Sequence, residues 1–391
     1  MTIIDIDSHF YEPFEWLSDT DPELAAELPT VDKVTLVVTT AFGEVMSTLP
    51  PQYRPDPFAR LPKEIRDENG GIKPEALAGA EANMENMINS VHGGYRPEDR
   101  LDFMDQQGID IQFVLPTFAF NPIAYIRREK PELANRLLTA YNTWACGQLA
   151  GHTDRLMPVT IVDLKSMDRA TTEAELERSR AAGARSVLFW PSPVEGKSIG
   201  HPDFDWFWAT CERLGIMPMV HVGASRPGMD TAWLNNGREH PLALMPYMSQ
   251  LHQIPEILIA ELLAAGTFER YPNLRLLVCE LGIDWLPSFV RRMDGLAKAN
   301  KRTPGGWPYP MMPSEYLRRN LRVSPLAHDP ASLVIEQVGP GMIVFSTDYP
   351  HLEGGKDAVS VFQRKLDGRV DEETTAAFFG GTIAADMALS A

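Results

Sequence analysis

The chain has 391 residues, of which 44% are hydrophobic and 23% charged, an ordinary composition for a globular protein with a large buried core. Its formal net charge of −17 makes nucleic acid and anionic membranes poor partners, because an acidic surface repels phosphate groups. We find no signal peptide and no apolar stretch of transmembrane length. The three cysteines, Cys146, Cys211 and Cys279, form no disulfide framework, so we expect a cytoplasmic protein.

Short apolar runs recur along the chain and predict strands that are buried on both faces, as in a parallel sheet. The eight runs cover residues 2–7, 111–116, 156–162, 184–190, 216–222, 274–280, 321–324 and 342–347. The spacers mostly carry helix patterns, and those ending at Gly108, Gly183 and Gly215 stop on glycine just before a strand. Repeated strand–helix order predicts an α/β fold, a (β/α)₈ TIM barrel that forms one domain over residues 1–391.

Two long segments interrupt the repeat, and both follow predicted strands. Residues 10–99 form an insertion after the first strand, and residues 223–253 follow the fifth. In a barrel such segments emerge as extended loops at the C-terminal face, where long loops serve as lids, substrate walls or subunit contacts. We therefore expect the 10–99 insertion to act as a lid or a dimer contact in a homodimer.

Polar residues stand where several predicted strands end. Asp7 and His9 lie two residues apart at the first strand, so their side chains project to the same side. His221 lies in the fifth strand, Glu280 ends the sixth, and Asp348 follows the eighth. The pair of Asp7 and His9 alone is better explained by a structural role, such as capping a loop or binding one another. Its convergence with His221 and Asp348 instead predicts a site for one divalent metal ion, Zn²⁺ or another transition metal.

Other residues near the strand ends are candidates for substrate contacts. Phe118 follows the second strand, Trp190 the fourth and Trp285 the sixth, where aromatic walls would suit a planar, partly apolar substrate. Packing between loops and barrel explains these aromatic residues equally well. Arg226 lies in the loop after His221 and is a candidate to bind a substrate carboxylate through paired hydrogen bonds, or it is a solvated loop residue.

The sequence resembles the amidohydrolase superfamily, in the amidohydrolase-related branch that includes aminocarboxymuconate-semialdehyde decarboxylase and aromatic acid decarboxylases. The resemblance covers residues 3–388, and its matching stretches are IDIDSHFYEP, RLDFMDQQGIDIQFVLPT, HPDFDWFWATCERLGIMPMVHVG, YPNLRLLVCELGIDWLP and FSTDYPHLEGG. It implies a metal ion at the mouth of the barrel, usually zinc and sometimes manganese. The residues that match the family's metal ligands are Asp7, His9, His221 and Asp348.

The resemblance also implies roles for residues around the metal. It places His351 close to the ion, as a catalytic-site or substrate contact. Relatives with two metals hold a lysine at the end of the fourth strand, whereas residues 189–191 read Phe-Trp-Pro here, which supports a single metal. The decarboxylase relatives usually have a histidine where this chain has Glu280. A glutamate cannot supply the cationic donor of a protonated histidine, so this departure weakens the transfer of the decarboxylase mechanism.

These observations favour a metal-dependent hydrolase that acts on a small, carboxylated and conjugated or aromatic substrate through a metal-activated water. We assign proton transfer to Asp348 and the positioning of water or substrate to Glu280. The alternative is a non-oxidative metal-dependent decarboxylase of an aromatic or semialdehyde acid, with hydration of a double bond as a third option. A non-enzymatic rival is a binding protein that uses the same cavity, since a fold does not fix a function.

Overall fold

Seven parallel strands form one sheet in chain order. The computed structural model describes residues 1–28, 73–224, 228–234, 245–301, 303, 306–351, 354 and 357–388. The strands are β1 (Ile4–His9), β2 (Ile111–Leu115), β3 (Leu156–Val162), β4 (Ser186–Phe189), β5 (Met217–His221), β6 (Leu276–Cys279) and β7 (Leu321–Val323). The sheet curls and is surrounded by helices, as expected for an α/β fold of the TIM-barrel type.

Helices occupy most of the segments between the strands. Before β4 they are α1 (Trp16–Thr20), α2 (Pro22–Glu27), α3 (Pro74–Ser90), α4 (Pro97–Gln107), α5 (Phe120–Glu129), α6 (Pro131–Gln148) and α7 (Arg169–Ala181). Between β4 and β7 they are α8 (Asp205–Leu214), α9 (Met245–Met248), α10 (Gln253–Ala264), α11 (Thr267–Arg270), α12 (Leu286–Asn300) and α13 (Pro313–Asn320). After β7 they are α14 (Ala331–Val338), α15 (Ala358–Leu366), α16 (Glu372–Ala376) and α17 (Thr382–Ala388). Short 3₁₀ turns cover Pro202–Phe204 and Thr231–Leu234, and a π-helical turn covers Ala377–Gly381.

The last predicted strand, residues 342–347, is not a regular strand but a segment that lies between β7 and β1. Ile343 forms a single parallel bridge with Val323 of β7, and the N–H of Asp348 donates to the Asp7 carbonyl of β1 at 2.7 Å. The expectation of eight regular strands is therefore corrected to seven plus this bridging segment. The hydrogen bond to the Asp7 carbonyl places Asp348 next to the end of β1.

A physical reason for the missing ladder is that backbone donors of the segment have other partners. The N–H of Phe345 donates to the carbonyl of Phe378, which precedes the C-terminal helix α17, at 3.0 Å. The N–H of Thr347 donates to the carboxylate of Asp5 at 2.9 Å. Each of these N–H groups is therefore missing from the regular pattern of hydrogen bonds between parallel strands.

The strands are mostly apolar, and β1 carries more buried polar residues than any other strand. All six residues of β1 are buried, including Asp5, Asp7, Ser8 and His9. The pairing of β1 with β2 shifts register between Asp5 and Ser8, where the strand carries its carboxylates. Buried polar groups need partners, so this strand is the first place to look for a site.

No helix of the described residues is long and apolar enough to cross a membrane.

The 10–99 insertion is described at both of its ends. It contains α1, α2 and α3 and leads into α4, whereas residues 29–72 lie outside the described residues. The N–H of Tyr11 donates to the Gly94 carbonyl at 2.8 Å, which brings the two ends of the insertion together. The hydroxyl of Tyr349 donates to the His92 carbonyl at 2.6 Å, so the end of the insertion contacts the segment that carries Asp348.

At the other end of the sheet, a buried cluster of charges anchors the C-terminal helix. Asp386 of α17 accepts from Nε of Arg275, before β6, and from Nε of Arg322, in β7, each at 2.6 Å. The three side chains are at most 9% exposed. Two buried guanidinium groups therefore depend on a single carboxylate for their neutralisation.

We predict that Asp386→Asn destabilises the protein by about 3 kcal/mol or more, because it leaves two buried cations without a counter-charge. The measurement is the denaturant midpoint of unfolding, compared with Glu372→Gln, which removes a carboxylate from an exposed position of α16. We expect the Glu372→Gln variant to unfold like the wild type. Equal midpoints for the two variants would show that the cluster does not anchor the helix.

Candidate metal centre

Four buried side chains from three parts of the sheet converge at its C-terminal ends. Nε2 of His9 lies 3.2 Å from Oδ1 of Asp7 and 3.5 Å from Oδ1 of Asp348. Nε2 of His221, at the end of β5, lies 3.3 Å from the same Asp7 oxygen. None of the four residues is more than 8% exposed. The sequence predicted this convergence from the order of the strands alone.

The second nitrogen of each imidazole fixes how the ring presents itself to the cluster. Nδ1 of His9 lies 2.8 Å from the Pro116 carbonyl, and Nδ1 of His221 lies 3.0 Å from the Val222 carbonyl. A carbonyl oxygen only accepts, so in both rings Nδ1 carries the hydrogen. In the neutral imidazole Nε2 then presents a lone pair to the carboxylates, which is the usual orientation of a metal-binding histidine.

Atoms at the centre of this cluster lack hydrogen-bond partners among the described residues. They are Oδ1 of Asp7, Nε2 of His9, Nε2 of His221 and Oδ2 of Asp348. Lone pairs that face each other in a buried site repel and cost free energy unless a cation lies between them. Two imidazole nitrogens and two carboxylate oxygens are a donor set that suits Zn²⁺, Mn²⁺ and similar ions. Donor atoms within 4.8 Å of one another form two sets that share His9, one with Asp7 and His221 and one with Glu280, Asp348 and His351, and both suit the divalent metal that the sequence implied.

The pKa values of these groups reflect the same crowding of charge. Burial disfavours the ionised form of Asp7, but the imidazoles of His221 and His9 outweigh it and hold its pKa well below the usual range. Burial also lowers the pKa of His221, yet the carboxylates of Asp7 and Glu280 outweigh it and raise the value to about 10. Protons and a metal ion thus compete for the same imidazole lone pair.

Glu280 contributes a third carboxylate at the edge of the cluster. Glu280 directly follows β6, and its Oε2 lies 3.2 Å from Nε2 of His221. Burial raises the pKa of Glu280 to about 8, with the neighbouring carboxylates of Asp348 and Asp7 adding to the effect against the opposing influence of His221. Glu280 and Asp348 both have a φ of 55°, a left-handed conformation that is costly for residues other than glycine. Strain at two such positions in one cluster indicates a functional site.

His351 lies beside Asp348 and links it to β2. Its Nδ1 lies 2.7 Å from Oδ1 of Asp348, and because a carboxylate only accepts, this nitrogen donates. Its Nε2 pairs with the hydroxyl of Thr117 at 3.0 Å, and its ring centroid lies 4.1 Å from that of His9. Burial lowers the pKa of His351, but the carboxylates of Asp348 and Glu280 outweigh it and raise the value.

The predicted aromatic substrate contacts are divided between two sides of the cluster. Phe118 packs against Tyr11 with ring centroids 4.9 Å apart, and the Tyr11 ring lies 6.0 Å from His351. Trp190 stacks on Phe120 at 5.4 Å with an angle of 6° between the ring planes. Both aromatic pairs lie on segments that follow the C-terminal ends of strands.

The other two predicted substrate contacts are Trp285 and Arg226. Trp285 donates from its indole nitrogen to the Gly282 carbonyl at 2.8 Å and packs against Phe289 of α12, so it anchors the segment after Glu280. Its residue exposure is 8%, which leaves little surface for a ligand. Arg226 lies outside the described residues.

Two buried carboxylates next to the cluster were not singled out from the sequence. Asp5 accepts hydrogen bonds from the N–H and hydroxyl of Thr347 at 2.9 and 2.6 Å, and burial raises its pKa to about 7. Glu12 accepts from the N–H groups of Thr117 and Phe118 at 3.0 and 2.8 Å, and burial raises its pKa to about 7 as well. The signal for Asp5 was available, because its spacing from Asp7 puts both on one side of β1.

Solved structures with a similar fold include an amidohydrolase and two decarboxylases, one of them with bound manganese. An amidohydrolase from Mycobacterium avium subsp. paratuberculosis K-10 is 21% identical, with a TM-score of 0.68 over 99% of each chain. A 5-carboxyvanillate decarboxylase from Sphingomonas paucimobilis is 18% identical, with a TM-score of 0.61 over 99% of each chain. A dihydroxybenzoic acid decarboxylase from Polaromonas sp. JS666, solved with manganese and the inhibitor 2-nitroresorcinol, is 18% identical, with a TM-score of 0.59 over 100% of this chain and 98% of that one.

The sequence itself gives the family. A comparison with curated proteins finds no match. The family model described as amidohydrolase matches residues 4–385, nearly the full length of the chain. The strand order, the converging histidines and carboxylates and this match lead to one conclusion. The chain belongs to the amidohydrolase family.

Proposed function

We propose that the protein is a metal-dependent hydrolase that acts on a small carboxylated substrate with an aromatic or conjugated part. The observation that carries the proposal is the set of buried, unpartnered acceptor atoms shared by Asp7, His9, His221 and Asp348. Glu280 favours hydrolysis, since it adds a carboxylate 3.2 Å from Nε2 of His221 where the decarboxylases that the sequence resembles have a histidine.

The side chains divide the work as follows. A divalent metal ion held by Asp7, His9, His221 and Asp348 would supply Lewis-acid chemistry, polarising an oxygen of the substrate or of water. Asp348 accepts the proton of the attacking water at a carboxylate oxygen, and the Nδ1–H of His351 stabilises that carboxylate at 2.7 Å. The buried site excludes bulk water, which strengthens each of these interactions.

Glu280 belongs to the same group of ligand atoms as His351, since those of His9, Glu280, Asp348 and His351 all lie within 4.8 Å of one another. Its carboxylate faces Nε2 of His221, and we assign it the positioning of water or substrate. Thr117 orients His351 through the hydrogen bond to Nε2 at 3.0 Å, so that Nδ1 stays directed at Asp348. The proton taken up by Asp348 returns to the leaving group from the same carboxylate.

Non-oxidative decarboxylation is the second candidate reaction. It is favoured by structural neighbours whose names describe decarboxylases of aromatic acids, one of them with bound manganese. In this reaction Asp348 would deliver a proton to the ring carbon that loses carbon dioxide. His351, whose pKa is raised by Asp348 and Glu280 against the effect of burial, would take the place of the histidine that position 280 lacks.

Isotope labelling separates the two reactions. We would incubate the metal-loaded protein with aromatic carboxylic acids and with their esters and amides, in H₂¹⁸O and in D₂O. Hydrolysis places ¹⁸O in the product acid, whereas decarboxylation releases carbon dioxide and places deuterium on the ring. Turnover of esters or amides with ¹⁸O incorporation supports the proposal, and deuterium incorporation with release of carbon dioxide replaces it with the second candidate.

We also propose the identity of the metal, the oligomeric state and compartment of the protein, and the roles of residues 10–99 and 342–347. The ion is zinc, with manganese as the alternative, because imidazole and carboxylate donors suit both. The chain forms a cytoplasmic homodimer, residues 10–99 serve as a lid or dimer contact, and residues 342–347 complete a (β/α)₈ barrel. Free, buried cysteines support the reducing compartment, and the hydrogen bond from Tyr349 to the His92 carbonyl supports the lid.

Removal of one imidazole should cost the protein its metal. We expect His9→Ala and His221→Ala each to lower metal content to a small fraction of one equivalent, because each removes one of four protein ligands. Elemental analysis of protein purified without chelator measures this directly. His328→Ala is the matched control, since its imidazole is 81% exposed and lies on a surface turn. Full metal content in both ligand variants would rule out the site.

Asp348 and Glu280 should respond differently to loss of charge. Asp348→Asn keeps the shape and one oxygen but cannot accept a proton, so we expect metal to be retained and turnover to fall by roughly 10²–10⁴. Glu280→Gln should reduce turnover less, by about tenfold, if the residue positions rather than transfers protons. Turnover and metal content are measured on the same preparations. If the Asp348→Asn variant turns over substrate as fast as the wild type, Asp348 is not the base and Glu280 becomes the candidate.

A further inference from the structure

An arginine that the sequence did not single out lies at the same face of the sheet as the metal centre. Arg127 is part of α5, which follows β2, and its Nε lies 2.7 Å from Oδ2 of Asp163, directly after β3. Its guanidinium also lies over the ring of Trp190, directly after β4, at 4.8 Å from the centroid. Residues that directly follow two neighbouring strands, β3 and β4, thus hold this cation at the C-terminal face.

The ion pair of Arg127 leaves donors of the guanidinium unused, unlike the two-pronged ion pair of Arg270. Arg270 binds Asp205 through both Nε and Nη2, which uses the paired donors of its guanidinium. In Arg127 the buried Nε is close to Asp163 but not aligned as a hydrogen bond, and no partner for the two Nη groups is found among the described residues. The side chain is 18% exposed. Two parallel donors are therefore left for another planar acceptor.

An aromatic platform runs from this arginine towards the metal centre. Trp190 stacks on Phe120 with nearly parallel rings. Phe120 in turn lies beside Gly223, two residues after His221, where an added Cβ would be 3.5 Å from the Phe120 ring. The platform therefore runs from the guanidinium to a glycine two residues after the candidate metal ligand His221. Trp190 is only 6% exposed, so it is the partly buried Phe120 that can offer a face to a planar ring.

We propose that Arg127 is a specificity-determining residue that binds a carboxylate of the substrate through its two Nη groups. The ring of the substrate lies against Phe120, which is partly buried and backed by Trp190, and its reacting group lies at the metal centre. Asp163 fixes the guanidinium from behind and offsets part of its charge, so that binding depends on the paired hydrogen bonds. The inference rests on the proposed function and narrows the substrate class to aromatic acids with a second acidic or reactive group.

The test compares two ligands that differ in one group. Isophthalate carries two carboxylates on one ring, and 3-carbamoylbenzoate replaces one of them by a neutral amide of the same shape. Calorimetric titration of the metal-loaded protein should show isophthalate binding about tenfold more tightly or better, because charged hydrogen-bond pairs are the strong ones. Arg127→Met should abolish this preference.

Controls keep the result specific to the paired donors. Arg270→Met removes an ion-paired arginine of α11, before β6, and should keep the wild-type preference. Arg127→Lys keeps the charge without the fork, so it should weaken isophthalate binding several-fold and reduce the preference for isophthalate over 3-carbamoylbenzoate. If Arg127→Met does not fold, the comparison is made with Arg127→Lys instead.

The proposal is overturned if the wild type shows no preference, if neither ligand binds, or if Arg127→Met keeps the preference. Metal content measured on the same samples separates this failure from failure of the proposed function. A protein that holds its metal but ignores the second carboxylate loses only the role of Arg127. A protein without metal loses the proposed function as well.

Discussion

The buried carboxylate of Asp5 is the interaction on which the candidate site depends. It accepts hydrogen bonds from Gln112 of β2, from the backbone of Asp7 and from both donors of Thr347. These bonds join β1, β2 and the segment that takes the place of an eighth strand. Because Thr347 directly precedes Asp348, the same carboxylate positions two of the candidate metal ligands. A buried acid with this many donors is a rigid part of the structure.

The site itself opposes stability and is held together by its surroundings. It gathers buried carboxylate and imidazole atoms that have no hydrogen-bond partner among the described residues, and it keeps Glu280 and Asp348 in left-handed backbone conformations. Both features cost free energy in a protein without a cation, and natural proteins retain such costs where they serve function. The apolar strands and the Asp386 cluster at the opposite end supply the rigid frame that tolerates them.

The sequence predicted the parallel strands and the convergence at their ends, because strand order in this fold brings distant residues to one face. It did not predict that residues 342–347 bridge two edges without a regular ladder, since that depends on where donors such as that of Thr347 find partners. It also missed Arg127. Its pairing with Asp163 and Trp190 joins segments whose distance in space is set by packing, which no local pattern encodes.

The central claim is that the cluster of Asp7, His9, His221 and Asp348 binds one divalent metal ion. The most direct measurement is anomalous diffraction from crystals of the metal-loaded protein, recorded on both sides of the absorption edge of zinc or manganese. The account predicts one strong peak per chain, within bonding distance of Nε2 of His9 and Nε2 of His221. A peak elsewhere in the chain, or none at this site in crystals grown with excess metal, would contradict it.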